Sequence, residues 1–315
     1  MDKKIKPTSV GGQAVIEGVM MRGNKDIATA VRTSDGHIEI EKKPLNLLSV
    51  KWKINKIPLI RGVFSFFESL YTGVSCLMFS AKFYEDEETD KEQLSKFDKW
   101  LLEKGGDKLL NIIMFISVIF SLFIGIGLFM LLPNYLVGFI KTFIPSVPII
   151  ILNLLEGIVR IGFFVLYLYL TSLMKDIKRV YMYHGAEHKS IFCYEHGDEL
   201  TVENVKKYKR FHPRCGTSFL FIVMIVSIIF FSFISWDNLY TRLIYRLLLM
   251  PVVAGVSYEF IKIAGRYDNL FTRIISAPGV LMQHLTTREP DDAQIEVALT
   301  ALKAVISDNR EEDKW

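Results

Sequence analysis

Leu109–Leu132 reads LLNIIMFISVIFSLFIGIGLFMLL, 24 residues without a charged side chain. A helix rises about 1.5 Å per residue and needs about 20 apolar residues to cross a hydrocarbon core. A second uncharged run, Thr217–Ser235, follows with 19 residues. Two such segments make the chain a polytopic membrane protein. Total composition, 50% hydrophobic with a mean hydropathy of +0.28, decides less, because soluble domains reach similar fractions.

Two further apolar stretches carry charges. Val147–Met174 contains Glu156 and Arg160, an i,i+4 pair in the stabilising order, which inside a bilayer points at the bundle interior. Leu243–Ala264 contains Arg246, Glu259 and Lys262. Pro133 and Asn134 mark the end of the first span, and Pro145 and Pro148 precede the second. The expected class is mainly α, with about four transmembrane helices in a membrane domain over 109–264.

Ile57–Phe83 is long enough to span but carries Arg61 and Glu68, seven apart and on one helical face. It is expected as an interfacial or re-entrant helix. An acidic linker over 84–108 follows, with Glu85–Glu92 as its charge run. Residues 1–56 are soluble in character. Gln13–Met21 and Ile27–Arg32 are β-prone, and Ser34-Asp35-Gly36 is a turn before the alternating His37–Glu41, which together predict a small β-meander. The tail, 265–315, is amphipathic over Ile274–Leu285 and predicts a helix over Asp292–Ile306 with Asp291 and Asp292 as caps.

Charge placement sets orientation. The polar loop 175–216 holds nine Lys and Arg, whereas 133–146 holds only Lys141 and 236–241 none. The positive-inside rule therefore puts this loop and both termini in the cytoplasm with four crossings. A fifth crossing at 57–83 would move 1–56, with its eleven Lys and Arg, outside. The three cysteines, Cys76, Cys193 and Cys215, lack C-x-x-C spacing and imply no disulfide framework. No recognised nucleic-acid motif accompanies the basic loop.

The loop carries His184-Gly185-Ala186-Glu187-His188, an H-x-x-E-H pattern. On a helix, residues four apart share one face, so His184 and His188 can clasp one ion, with Glu187 beside it as proton acceptor. Zinc catalysis needs about three protein ligands and an open position. Glu259 is one expected third ligand. His212 and Cys215, in H-x-x-C spacing, are others, and all four loop ligands together would close the shell and make the site structural. Arg214 or Arg210 is placed to steady an oxyanion or a lipid phosphate. Glu195, Asp198 and Glu199 read as surface acids.

Four phrases resemble the YqhQ family of bacterial membrane proteins: Gly11–Gly23, Tyr183–Lys189, His212–Phe219 and Leu285–Pro290. The resemblance implies a metal-dependent enzyme with no established reaction. It also implies that Glu17, Arg22, Arg288 and Glu289 belong to the site or brace it.

The expectation is thus a membrane-embedded, metal-dependent hydrolase. It would use a divalent ion, zinc by its donors, on a peptide or lipid-linked substrate at the cytoplasmic face of the bacterial plasma membrane. The alternatives are a non-catalytic scaffold or assembly factor with a structural metal, and a small transporter using the intramembrane charges.

Overall fold

The computed structural model describes residues 7–83, 112–113, 115–235, 238–267, 269–307 and 312–313. The expected acidic linker, 84–108, lies outside the described residues.

The N-terminal region forms the expected meander. Strands β1 (Gly11–Val15), β2 (Gly18–Arg22), β3 (Asp26–Arg32) and β4 (Ile38–Pro44) pair antiparallel in the order 1-2-3-4. The Ser34-Asp35-Gly36 turn joins β3 to β4, with Gly36 at φ +90°, a conformation that costs a glycine little.

Eight long helices follow among the described residues: α1 (Ile60–Ala81), α2 (Phe115–Phe143), α3 (Ile149–Thr171), α4 (Lys175–His196), α5 (Gly216–Phe231), α6 (Leu239–Arg266), α7 (Leu270–Thr286) and α8 (Asp292–Val305). Four are long and apolar enough to cross a membrane: α1, α2, α3 and, within α6, Tyr240–Ala264. The expected third span, 217–235, appears as the shorter apolar helix α5.

Two sequence expectations need correction. Pro133 and Asn134 do not end the first span, which runs on to Phe143. A π-helical segment, Gly127–Leu131, precedes the proline and takes up its misfit. Pro133 has no N–H for the carbonyl four residues back, that of Phe129. Arg160 Nε donates to that carbonyl instead, at 2.9 Å. The segment 175–216 is not simply a loop, because its first half is α4. That helix stops at Gly197, whose φ of 76° gives the left-handed cap, with the Asp198 N–H donating back to the Cys193 carbonyl.

One core joins three distant parts of the chain. Val19, Met21, Ala28 and Ala30 of the sheet pack against Tyr183, Ala186 and Tyr194 of α4 and against α8. Helix α8 offers Ile295, Ala298, Leu299, Leu302 and Val305, spaced i, i+3, i+4, i+7 and i+10, so they form one stripe. Each large aliphatic side chain buried there contributes about 1.5–3 kcal/mol. A capping box between Asp291 and Gln294 starts the helix, in agreement with the expected cap. On the other face of the sheet, Val15, Met20 and Val31 pack on Cys76 and Phe79, anchoring α1.

In the membrane domain Glu156 is buried and takes both guanidinium nitrogens of Arg246, while Arg160 Nη2 donates to it at 2.8 Å. Both guanidiniums also lie over the Phe231 ring. Of the charges that motivate a transporter reading, Glu156, Arg160 and Arg246 are tied to one another, and Glu259 is tied to Arg61. Removing one member of a buried pair leaves an uncompensated charge, at a cost of about 3–5 kcal/mol. We expect Glu156→Gln to lower the melting temperature of the detergent-solubilised protein clearly. An unchanged melt would mean that the cluster contributes no stability.

Candidate metal centre

Helix α4 places His184 and His188 on one face, with ring centroids 4.4 Å apart. Each ring is fixed by its Nδ1. That of His184 lies 2.8 Å from the Thr286 carbonyl, and that of His188 is bonded to the Arg210 carbonyl. A carbonyl can only accept, so both Nδ1 atoms carry a proton, and each ring in its neutral form keeps its lone pair on Nε2. His184 Nε2 lies 3.1 Å from Cys215 Sγ, and His188 Nε2 is buried without a hydrogen-bond partner. One ligand atom from each of His184, His188 and Cys215 lies within 4.8 Å of the other two. Donors on one tetrahedral zinc sit about 3.5 Å apart, so the three fit an ion with little movement. Histidine ligands commonly give their second ring nitrogen to a carbonyl, as both do here.

Cys215 is the N-cap of α5. Burial opposes its ionisation, but the charges of His184 and His188 and the hydrogen bond to His184 outweigh it and hold the thiol well below its ordinary pKa. Burial pulls His184 down, yet Cys215 and Glu187 outweigh this and hold it up at about 9. Thiolate is the form a metal takes. Glu187 lies alongside, its carboxylate 3.9 Å from His184 Nε2. Burial raises its pKa against the pull of both histidines.

Phrases far apart in sequence build this centre. The Gly12 N–H faces the Glu187 carboxylate, and a Cβ on Gly12 would come within 2.9 Å of Glu187 Cγ and 2.6 Å of the Met20 carbonyl. A cavity of about 120 Å³ opens beside the group, lined by Gly11, Gly12, Glu187, His188, His212 and Cys215 among others. Thr286–Pro290 lies across α4. The Arg288 N–H donates to the Tyr181 carbonyl at 2.8 Å, and a Cβ on Gly185 would meet the Arg288 carbonyl at 2.1 Å. Glu289 pairs with Lys189 and with Arg210, and Glu17 pairs with Arg179 and accepts from Tyr183. These residues brace α4 rather than face the cavity. Arg22 is half-buried near Glu68, and desolvation lowers its pKa against the pull of that carboxylate.

The other expected site residues lie elsewhere. Glu259, expected as a third ligand, accepts from Arg61 Nε at 2.7 Å and from the Leu59 N–H at 3.2 Å, so its carboxylate is spent on α1. His212 borders the cavity but turns its Nε2 toward Glu195, 3.7 Å away, and burial drops its pKa to about 4. Arg214 also borders the cavity, with its guanidinium paired to that same Glu195. Glu195 was expected at the surface but is buried. It also accepts the Thr8 N–H at 2.8 Å, and His212 and Arg214 overcome burial to keep its pKa low. Sequence reasoning missed Gln283, whose amide holds the main chain of His212 at 2.7 and 2.6 Å.

The packing of Gly185 on Arg288 gives a test away from the ligands. Gly185→Ala should push the 286–290 segment off α4, loosen the Thr286 hold on His184, and weaken metal binding about 10- to 100-fold, the usual effect of losing such a support. A competitive chelator titration measures it, and unchanged affinity would remove the segment from the centre.

Comparison with known proteins agrees with the resemblance. A family model described as "Protein of unknown function (DUF1385)" matches residues 57–308. The chain is 34% identical over 311 residues to "Uncharacterized protein YqhQ" of Bacillus subtilis (strain 168), covering 97% of this chain and 95% of that one. No solved structure matches. The chain therefore belongs to the DUF1385 family of proteins of unknown function, together with the Bacillus subtilis protein YqhQ.

Proposed function

We propose that this protein is a membrane-embedded, metal-dependent hydrolase whose ion is held by His184, His188 and Cys215. The observation that carries the reading is the pair of Nδ1–carbonyl bonds, which leave two Nε2 atoms converging with a thiol beside an open cavity. With His212 committed to Glu195, the shell has three donors and room for a fourth, the pattern of a catalytic rather than a structural site. A divalent ion there, zinc by its nitrogen and sulfur donors, would supply Lewis acidity toward an acyl carbonyl and its attacking water. Glu187 takes the proton from that water and returns it to the leaving group, so the acyl bond is exchanged for the two elements of water. Its raised pKa suits both halves of that task.

The site's sidedness follows from the shared core. The sheet, α4 and α8 pack together, so they lie on one face of the bilayer. The chain must then cross an even number of times between β4 and α4, where α1, α2 and α3 lie, so not all three cross. We infer that α1 stays at the interface. It is fixed on the sheet through Cys76 and Phe79, and near its start Arg61 binds Glu259 close to the end of α6. Helices α2, α3, α5 and α6 then cross, with α5 reaching about 24 Å by its length. Both termini and the metal centre are cytoplasmic by the placement of Lys and Arg. A reporter fused within 84–108 should read as cytoplasmic, and an external signal would mean that α1 crosses.

A thiol nucleophile is the second reading, favoured by the 3.1 Å contact of Cys215 with His184 at the N-terminus of α5. Elemental analysis of the purified chain separates the two. We expect about one ion per chain, lost in His184→Ala and Cys215→Ala, with Glu187→Gln keeping the ion and losing hydrolysis. A chain isolated without metal that hydrolyses substrate would transfer the case to the thiol.

A further inference from the structure

β1 is the outer strand of the sheet, bonded to β2 on one side only. The partners Val15 and Gly18 close a two-residue turn, so they exchange hydrogen bonds, and the alternation then assigns Gln13–Met20 and Gly11–Arg22 as bonded pairs. Gly12 and Ala14 therefore turn their N–H and C=O groups away from β2. The Gly12 N–H meets Glu187. Among the described residues, the Gly12 carbonyl and both Ala14 groups take no hydrogen-bond partner. This edge, exposed at Gly12 and half-buried at Gly11 and Ala14, begins at the cavity, where Gly11 has open space in the direction a Cβ would take.

We propose that the substrate is an extended polypeptide segment that adds to β1 as a further strand and so delivers one of its peptide carbonyls to the metal centre. This rests on the hydrolase reading above. A row of main-chain donors and acceptors matches the repeat of another peptide backbone, the general mode of strand addition. A lipid ester has no N–H groups to give the Gly12 and Ala14 carbonyls. The paired glycines, Gly11 and Gly12, let a second backbone come close to Glu187, which fixes where along the edge the scissile bond sits.

The test uses full-length, zinc-loaded protein in detergent with two probes, acetohydroxamate and tetra-alanine hydroxamate. Both bind metal through the same group, and only the second carries a backbone. We expect the peptide probe to bind at least about tenfold tighter, the worth of one or two hydrogen bonds. Ala14→Pro removes an outward N–H from an edge strand, where proline is tolerated. It should abolish that gain and leave acetohydroxamate binding unchanged. A tetra-alanine hydroxamate N-methylated on its amides should bind the unaltered protein no better than acetohydroxamate, which gives the same answer without any mutant. Equal binding of the two original probes would overturn strand addition while leaving the metal centre standing. Failure of both to bind the zinc-loaded chain would remove the centre and the substrate assignment together.

Discussion

Two main-chain carbonyls, those of Thr286 and Arg210, determine what α4 can do. By accepting the Nδ1 protons of His184 and His188 they set both ring orientations, and so direct both Nε2 atoms toward Cys215. Neither carbonyl belongs to a regular element that α4 could reach alone. The Thr286 carbonyl comes at the end of α7, and that of Arg210 comes from the turn before His212. The centre therefore exists only when the tail, the central segment and the N-terminal sheet are docked on one another. Buried, a histidine nitrogen without a partner costs free energy. The fold tolerates that cost at His188 Nε2, in a place where a ligand would repay it.

The soluble and membrane parts solve different problems with the same device. In the core around the sheet, apolar stripes of α4 and α8 close on the strands, and polar groups are bonded across long sequence distances, as Glu195 is to Thr8 and Arg214. In the bilayer, where water offers no alternative, Glu156 gathers Arg160 and Arg246, and Arg160 also covers the carbonyl that Pro133 leaves open. Helix α1 links the two parts, touching the sheet at Cys76 and α6 at Glu259.

Much of this was legible in the sequence, and the losses have physical causes. Uncharged runs, the Ser34–Gly36 turn and the Asp291 cap report local free energies, so three of the four expected spans, the meander and α8 came through, while 217–235 appears as a shorter apolar helix. The i,i+4 spacing of His184 and His188 likewise needs only a helix. Pro133 misled because proline's usual penalty was relieved by a π segment and by Arg160, neither visible locally. Glu259 misled for a related reason. Its depth in the last span suited a ligand, but Arg61, 198 residues earlier, reaches it first. Cys215 was marked by its H-x-x-C spacing with His212, yet the structure pairs it with His184 and turns His212 to Glu195. Spacing proposes donors, and the tertiary partners of each choose among them.

Cobalt substitution tests the centre most directly. Full-length protein loaded with Co(II) should show the ligand-field bands of a four-coordinate site together with a thiolate-to-cobalt charge-transfer band in the near ultraviolet. That charge-transfer band should vanish in Cys215→Ala. Octahedral cobalt without the thiolate band, identical in the unaltered and Cys215→Ala chains, would contradict a His184, His188 and Cys215 centre.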